Sequence, residues 1–157
     1  MEEDALREQL VRLLRGGDSH GPLEASLREF PAKYANTKVD SIPHNAWQLL
    51  EHMRIAQWDI LEFSRNPGHV SPRWPEGYWP ESKTASSVED WNESIDWFCA
   101  DLEEMITLVN NPATDFFGEI PHGDGETLLR EVQVLAAHNS YHLGQIFLLR
   151  RAVENKS

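Results

Sequence analysis

Hydrophobic residues recur every three or four positions in four long stretches of the chain, and this spacing predicts amphipathic α-helices. The stretches cover residues 3–15, residues 45–64, residues 86 or 87 to 111, and residues 126–153. Glycine, asparagine or proline follows each of the first three, as expected where helices stop. Strand-like alternation never extends beyond a few residues. The predicted fold class is therefore all-α, a four-helix bundle.

The connections between these helices differ in character. Residues 22–30 carry a weaker helical pattern and predict a short extra helix, followed by an extended loop at residues 31–43. Between the second and third long helices, residues 67–86 predict a long loop rich in proline and large aromatic residues: Pro67, Pro72, Trp74, Pro75, Tyr78, Trp79 and Pro80. Such a loop either covers a pocket or serves as a structural plug. Residues 118–125 predict a second loop.

Composition narrows the class of protein. A length of 157 residues with 40% hydrophobic residues predicts a single domain over residues 1–157. The formal net charge of -12 argues against nucleic acid or an anionic membrane as partner. The N-terminus is acidic where a signal peptide is basic, and no apolar run is long enough for a membrane span. The only cysteine, Cys99, excludes an internal disulfide, so a cytoplasmic protein is expected.

Three histidines are the candidate metal ligands. His138 and His142 lie four residues apart on the last helix, so they project from one face about one turn apart. Such a pair can share an ion, or can bond the backbone or water. His52 lies in an apolar part of the second helix, where an unpartnered imidazole would be costly to bury. Because packed helices lie roughly 8–10 Å apart, the three imidazoles can meet at one divalent ion.

Three histidine ligands would leave a coordination position open for water or substrate, as in catalytic zinc sites. Imidazole suits several metals, and zinc and nickel are the leading candidates. Gln145 is expected to border the same cavity, and either Asp59 or Glu131 is a candidate to orient a ligand imidazole, unless both are surface acids. The remaining histidines are predicted to lie in loops or at a helix start, outside the metal set: His20, His44, His69 and His122.

The residues that carry these predictions resemble a known family. His52 at the end of Trp-Gln-Leu-Leu-Glu-His, and Ala-His-Asn-Ser-Tyr-His-Leu-Gly-Gln at residues 137–145, are similar to the DinB-like (YfiT-like) metalloprotein superfamily. That family has one histidine on its second helix and His-x-x-x-His-x-x-Gln on its last. The resemblance extends over nearly the whole chain. It implies a four-helix bundle with a divalent ion bound by His52, His138 and His142.

Some members of that superfamily are thiol-dependent S-transferases or isomerases that use mycothiol, bacillithiol or glutathione. The resemblance therefore implies a metal-dependent enzyme that joins a low-molecular-weight thiol to a small electrophile. One alternative is a non-catalytic metal-binding or stress-response protein, which would have a closed site with His20 or His44 as fourth ligand. Another is a metal-dependent hydrolase with Glu51 or Asp59 as base, although no His-Glu-x-x-His motif is present. A homodimer is expected, since bundle helices commonly make two-fold contacts.

Overall fold

A computed structural model of the chain describes residues 2–155, and in that range the regular structure is almost entirely helical. The α-helices are α1 (Glu2–Arg15), α2 (Leu23–Arg28), α3 (Ala46–Arg65), α4 (Val88–Asn110) and α5 (Leu128–Glu154). Two 3₁₀ turns, Ala32–Tyr34 and Glu76–Tyr78, lie in the connections. Glu119 and Thr127 form an isolated antiparallel bridge, and no longer strand pairing occurs in the described residues. The prediction of an all-α bundle is confirmed, with four long helices and the short α2.

Polar side chains fix where the long helices begin. Asn45 accepts a hydrogen bond from the backbone N–H of Gln48, whose own side chain accepts from the Asn45 N–H. Ser87 and Thr127 each accept from the backbone N–H three residues further on. These bonds satisfy N–H groups that the first turn of a helix leaves unpaired. Of the two predicted caps of α4, Ser86 and Ser87, the structure uses Ser87.

Helices α3 and α4 lie side by side and run parallel. Near their N-terminal halves, Ser94 donates a hydrogen bond to Glu51, and near their C-terminal ends Arg65 pairs with Glu104 at 2.7 Å. Parallel neighbours require a connection that returns along the whole length of the first helix. For the 20 residues of α3 that distance is about 30 Å. Residues 66–87, called the crossover segment below, make this return.

Helix α5 packs antiparallel to α3. The side-chain amide of Asn139 donates to Gln57 at 3.1 Å, while one turn or more away the rings of His142 and His52 lie 4.6 Å apart. Gln57 is fully buried and also donates to the backbone carbonyl of Phe98 on α4 at 2.6 Å. The side-chain amide of Gln57, hydrogen-bonded at both its oxygen and its nitrogen, joins three helices at one level of the bundle. The histidines on α3 and α5 lie beside that level.

Helix α1 completes the bundle by packing antiparallel to α4. Arg15 near its C-terminus pairs with Glu103, and Arg7 near its middle reaches the backbone carbonyls of Val109 and Asn111 at the end of α4. The core between the helices is apolar, with Trp91 and Phe98 as its largest fully buried side chains. None of the helices in residues 2–155 has the length and apolar character needed to cross a bilayer.

Candidate metal centre

The structure brings His52 on α3 together with His138 and His142 on α5. Each imidazole offers one nitrogen, and these three nitrogens all lie within 4.8 Å of one another. His52 and His142 are buried and His138 is half-buried. Among the described residues, no other group of histidine, cysteine or carboxylate side chains lies close enough together to hold one ion. The predicted convergence of the three imidazoles is therefore observed, and it follows from the antiparallel packing of α3 and α5.

His52 is held from two sides by the crossover segment. Its Nδ1–H donates to the backbone carbonyl oxygen of Tyr78 at 2.7 Å. A carbonyl can only accept, so the proton resides on Nδ1 and the lone pair of His52 lies on Nε2. The indole of Trp79 stacks on the His52 ring at 4.0 Å with planes 5° apart. Both contacts direct Nε2 toward the other two histidines.

His142 is oriented within its own helix. Its Nδ1 lies 2.5 Å from Oε1 of Gln145, one turn later on α5, and donates its proton to that oxygen. The lone pair of His142 is therefore on Nε2, as in His52. Tyr141 packs edge-on against the ring at 4.9 Å. Gln145 thus lies where the helical spacing predicted, beside a candidate ligand.

His138 has a different environment. Its Nε2 lies 3.1 Å from Nε2 of His52, whereas its Nδ1 is buried without a hydrogen-bond partner among the described residues. Because Nε2 of His52 is a lone-pair acceptor, it can face either an N–H of His138 or a cation. Among the described residues no acceptor contacts Nδ1 of His138, so the proton of this ring is not fixed from that side. Its ring is free to place the proton on Nδ1 and offer Nε2 as a ligand.

All three imidazoles are held neutral. Burial lowers the pKa of His52 and of His142 below the usual value for histidine. Burial, reinforced by the charges of the two neighbouring histidines, lowers the pKa of His138 to about 4. At neutral pH each ring therefore has an unprotonated nitrogen. Neutral imidazole is the form that binds a metal.

The separation of the His52 and His138 nitrogens fits a shared metal ion. Two nitrogens bound to zinc at about 2.0–2.1 Å with tetrahedral angles lie about 3.3 Å apart. The 3.1 Å between the Nε2 atoms of His52 and His138 is close to that value. Nδ1 of His52 and Nδ1 of His142 each donate a hydrogen bond to an oxygen acceptor. Such bonds orient metal-bound histidines in other proteins. The donor set and its geometry are consistent with binding one divalent ion.

The other four histidines lie outside this group. His20 bonds the carbonyl of Gly21 and the hydroxyl of Ser140, both at 2.8 Å. His122 contacts the backbone of α3 near its C-terminal end. His44 stacks on Trp79 at 4.0 Å, so the indole that covers His52 also contacts this ring. His44 is near the centre without being one of the three converging side chains.

The carboxylates do not reach the imidazoles directly. Asp59 accepts a hydrogen bond from the hydroxyl of Tyr78 and another from His69, both at 2.7 Å. Glu131 pairs with Arg130. Neither therefore orients a ligand ring by its own contact, and the predicted direct role of these two acids is wrong. The acceptors that do so are the Tyr78 carbonyl and Gln145. A backbone acceptor has no signature in residue type, so only the path of the crossover segment reveals it.

Cys99 belongs to a different part of the molecule. It lies on α4, half-buried, and burial raises the pKa of its thiol to about 11. Its charged neighbours include Glu24, Arg28 and Asp96, which do not border the histidines. A protonated thiol at this distance from the centre is a packing residue rather than a nucleophile.

Comparison with known proteins adds one finding. The family model of the DinB superfamily matches residues 19–146, which include all three converging histidines and most of the bundle. No curated protein and no solved structure matches the chain. The match covers well over half of the sequence. The chain belongs to the DinB superfamily.

Proposed function

We propose that this protein binds one divalent metal ion through Nε2 of His52, His138 and His142, and that it is a thiol S-transferase acting on a small electrophile. The observation that carries the proposal is the convergence of three neutral imidazoles without a fourth ligand-type side chain in the group. Three protein ligands leave room for an exogenous one, which is the arrangement of catalytic rather than structural zinc. Zinc and nickel both suit such a site.

The bound ion would supply Lewis acidity, lowering the pKa of a thiol at the open position so that the thiolate forms at neutral pH. The chain's own residues prepare that position. The Tyr78 carbonyl and Gln145 hold His52 and His142 with their lone pairs inward. Trp79 and Tyr141 place apolar surface against the two rings and limit the access of water.

The reacting thiol is proposed to come from a small molecule such as mycothiol, bacillithiol or glutathione. The chain's single thiol, Cys99, is protonated and lies elsewhere on α4. A substrate thiol would therefore have to enter the site from solution. This choice among thiols comes from the family resemblance, and the assay must compare all three.

The two alternative functions make different demands on the site. A structural centre would be closed by a fourth ligand, but His20 is already bonded to Gly21 and Ser140, and His44 lies outside the group of converging nitrogens. A hydrolase would need a free carboxylate as base. Glu51 is instead engaged by Arg54 and Ser94, and Asp59 by Tyr78 and His69. The observed contacts favour the transferase over both.

The proposal is tested by measuring thiol transfer to 1-chloro-2,4-dinitrobenzene with each of the three thiols, before and after chelation. We expect zinc- or nickel-dependent turnover that is lost in His142→Ala while the circular dichroism spectrum stays helical. His122→Ala, which alters a half-buried histidine at the far end of α3, serves as the matched control and should keep its activity. Metal binding without turnover would support the non-catalytic alternative, and turnover that survives both chelation and His142→Ala would refute the proposal.

We also propose that the protein is a homodimer packed through α5. Five exposed residues repeat at three- and four-residue intervals along this helix, and we name them the α5 stripe: Val134, Ala137, Tyr141, Gly144 and Leu148. The stripe is apolar or small, and residues 132–149 contain no Asp, Glu, Lys or Arg. An uncharged face can meet its own copy across a two-fold axis without like-charge repulsion.

Sedimentation velocity tests this prediction by measuring the oligomeric state. Leu148 is 61% exposed, and Leu148→Glu would place charges on both sides of the two-fold contact, so we expect a shift from dimer to monomer. Leu13→Glu changes a similarly exposed leucine on α1 and should leave the dimer intact. A wild-type protein that sediments as a monomer at micromolar concentration would contradict the proposal.

A further inference from the structure

We infer that Asp59 is a positioning residue for the metal centre, acting on His52 through Tyr78. The inference rests on the proposed metal binding and adds a residue that touches none of the three imidazoles. It follows from two hydrogen bonds made by one residue of the crossover segment. The backbone of Tyr78 contacts His52, and its side chain contacts Asp59.

The first bond determines what His52 can bind. Its Nδ1–H donates to the Tyr78 carbonyl at 2.7 Å, which leaves Nε2 unprotonated and directed at the other histidines. A shift of the carbonyl away from the ring would release this constraint. The imidazole could then rotate, or take the other tautomer with its proton on Nε2. The position of the Tyr78 backbone therefore controls which nitrogen of His52 is available to bind a metal.

The second bond holds that backbone in place. The phenol of Tyr78 donates to one carboxylate oxygen of Asp59, and His69 Nε2 bonds the other oxygen, each at 2.7 Å. The Asp59 and His69 side chains are only 11% and 6% exposed. Hydrogen bonds to a carboxylate are stronger than neutral ones, and screening by water is limited at such burial. Asp59 thus ties two points of the crossover segment to the bundle.

The arrangement is rigid because both ends of the link are on one helix. Asp59 follows His52 by seven residues on α3, which places the two side chains on the same face about two turns apart. The crossover segment lies along this face, with Tyr78 spanning from one residue to the other. Helix α3 therefore carries both His52 and Asp59, and Asp59 holds the residue, Tyr78, whose carbonyl orients His52.

Glu131 provides the matched comparison. It is a carboxylate of similar burial, its side chain 6% exposed against 11% for Asp59, but its partner is Arg130 on α5. No hydrogen bond of Glu131 leads to Tyr78 or His52. If any buried acid near the centre influenced metal binding equally, Glu131→Gln and Asp59→Ala would behave alike. The structure predicts that they differ.

The dissociation constant for zinc, measured by competition with a chromophoric chelator, tests the link. We expect Tyr78→Phe and Asp59→Ala each to raise it about tenfold, within the range known for partners of ligand histidines. The double variant should be no weaker than the weaker single one, since both changes break the same connection. Glu131→Gln should stay within twofold of wild type. Unchanged constants in both single variants, fully additive effects, or an equal effect of Glu131→Gln would overturn the inference.

Long-range ¹H–¹⁵N spectra of the metal-free protein give a second measurement that does not depend on metal affinity. They report which ring nitrogen of His52 carries the proton. We expect the Nδ1–H form in wild type and a mixture of tautomers in Tyr78→Phe, a change that a purely structural defect elsewhere would not cause. An unchanged tautomer in both Tyr78→Phe and Asp59→Ala would overturn the inference. If wild type shows the Nδ1–H form yet binds no zinc, the proposed function has failed while the positioning of His52 stands.

Discussion

His52→Ala, His138→Ala and His142→Ala are each expected to bind zinc more than a hundredfold more weakly than the wild-type protein. Each change removes one of only three converging nitrogens. The loss of zinc affinity should therefore exceed the about 10–100-fold loss that follows removal of a residue hydrogen-bonded to a ligand. Elemental analysis of the purified, untagged proteins should find about one equivalent of metal in wild type and little in the variants.

The control for this series is His122→Ala, because His122 bonds the backbone of α3 at Phe63 and takes no part in the cluster. Its metal content should equal that of wild type. Circular dichroism should show that all four variants remain helical, since the core between the helices does not depend on the imidazoles. A wild-type protein that cannot be loaded with zinc or nickel, or three alanine variants that retain full metal content, would rule out the proposed ligand set.

Arg7→Ala is expected to lower the free energy of unfolding by about 2–3 kcal/mol, a large loss for a single polar residue. Arg7 is 8% exposed and donates to the carbonyls of Val109, Asn111 and Thr114. Val109 lies in the last turn of α4, where helix carbonyls lack a partner within the helix. Truncation would leave the buried Val109 carbonyl unsatisfied, would remove the bonds to the part-buried carbonyls of Asn111 and Thr114, and would leave the exposed Glu3 without its ion pair.

Urea denaturation of the metal-free protein measures this effect. Arg12→Ala is the matched control, because Arg12 lies on the same helix but makes an exposed ion pair with Asp18. Exposed pairs contribute little, so the control should change the free energy of unfolding far less than Arg7→Ala does. Zinc affinity of folded Arg7→Ala should match wild type, since Arg7 contacts the end of α4 and not the histidines. A loss no larger than that of Arg12→Ala would show that the α4 carbonyls find other partners.

Metal binding and folding stability are expected to depend on different residues of the bundle. The histidines lie on α3 and α5, and the crossover segment orients His52. Arg7 joins α1 to the end of α4 and to the loop that follows. A variant can therefore lose the metal without unfolding, or lose stability without losing the site. This separation makes the histidine variants informative about chemistry.

The convergence of the three histidines could be predicted from the sequence because their spacing and surroundings carry a physical signal. Four residues separate His138 from His142, which places both on one face of a helix whatever packs against it. His52 stands in an apolar run where an imidazole needs a partner. The helices were likewise predictable to within about two residues at most ends, since apolar periodicity and capping residues are local properties.

The orientation of the candidate ligand rings could not be predicted, because it depends on the relative directions of the packed helices. Nothing local to α3 or α4 indicates that they run parallel, yet this is the reason the crossover segment passes back over His52. The acceptor for His52 is the carbonyl of Tyr78, a group that every residue possesses and that no pattern of side chains reveals. Asp59 and Glu131 looked equivalent in sequence, whereas in the fold one bonds Tyr78 and the other Arg130.

The amino-acid sequence by itself thus determined the helices, the ligand-type residues and the face of each helix on which they lie. Those properties follow from spacing along the chain, with 3.6 residues per turn. Only the tertiary structure decided which lone pair His52 and His142 present and which acid bonds Tyr78. Hydrogen bonds act over about 3 Å, so such choices depend on contacts between segments far apart in sequence, which local spacing does not specify.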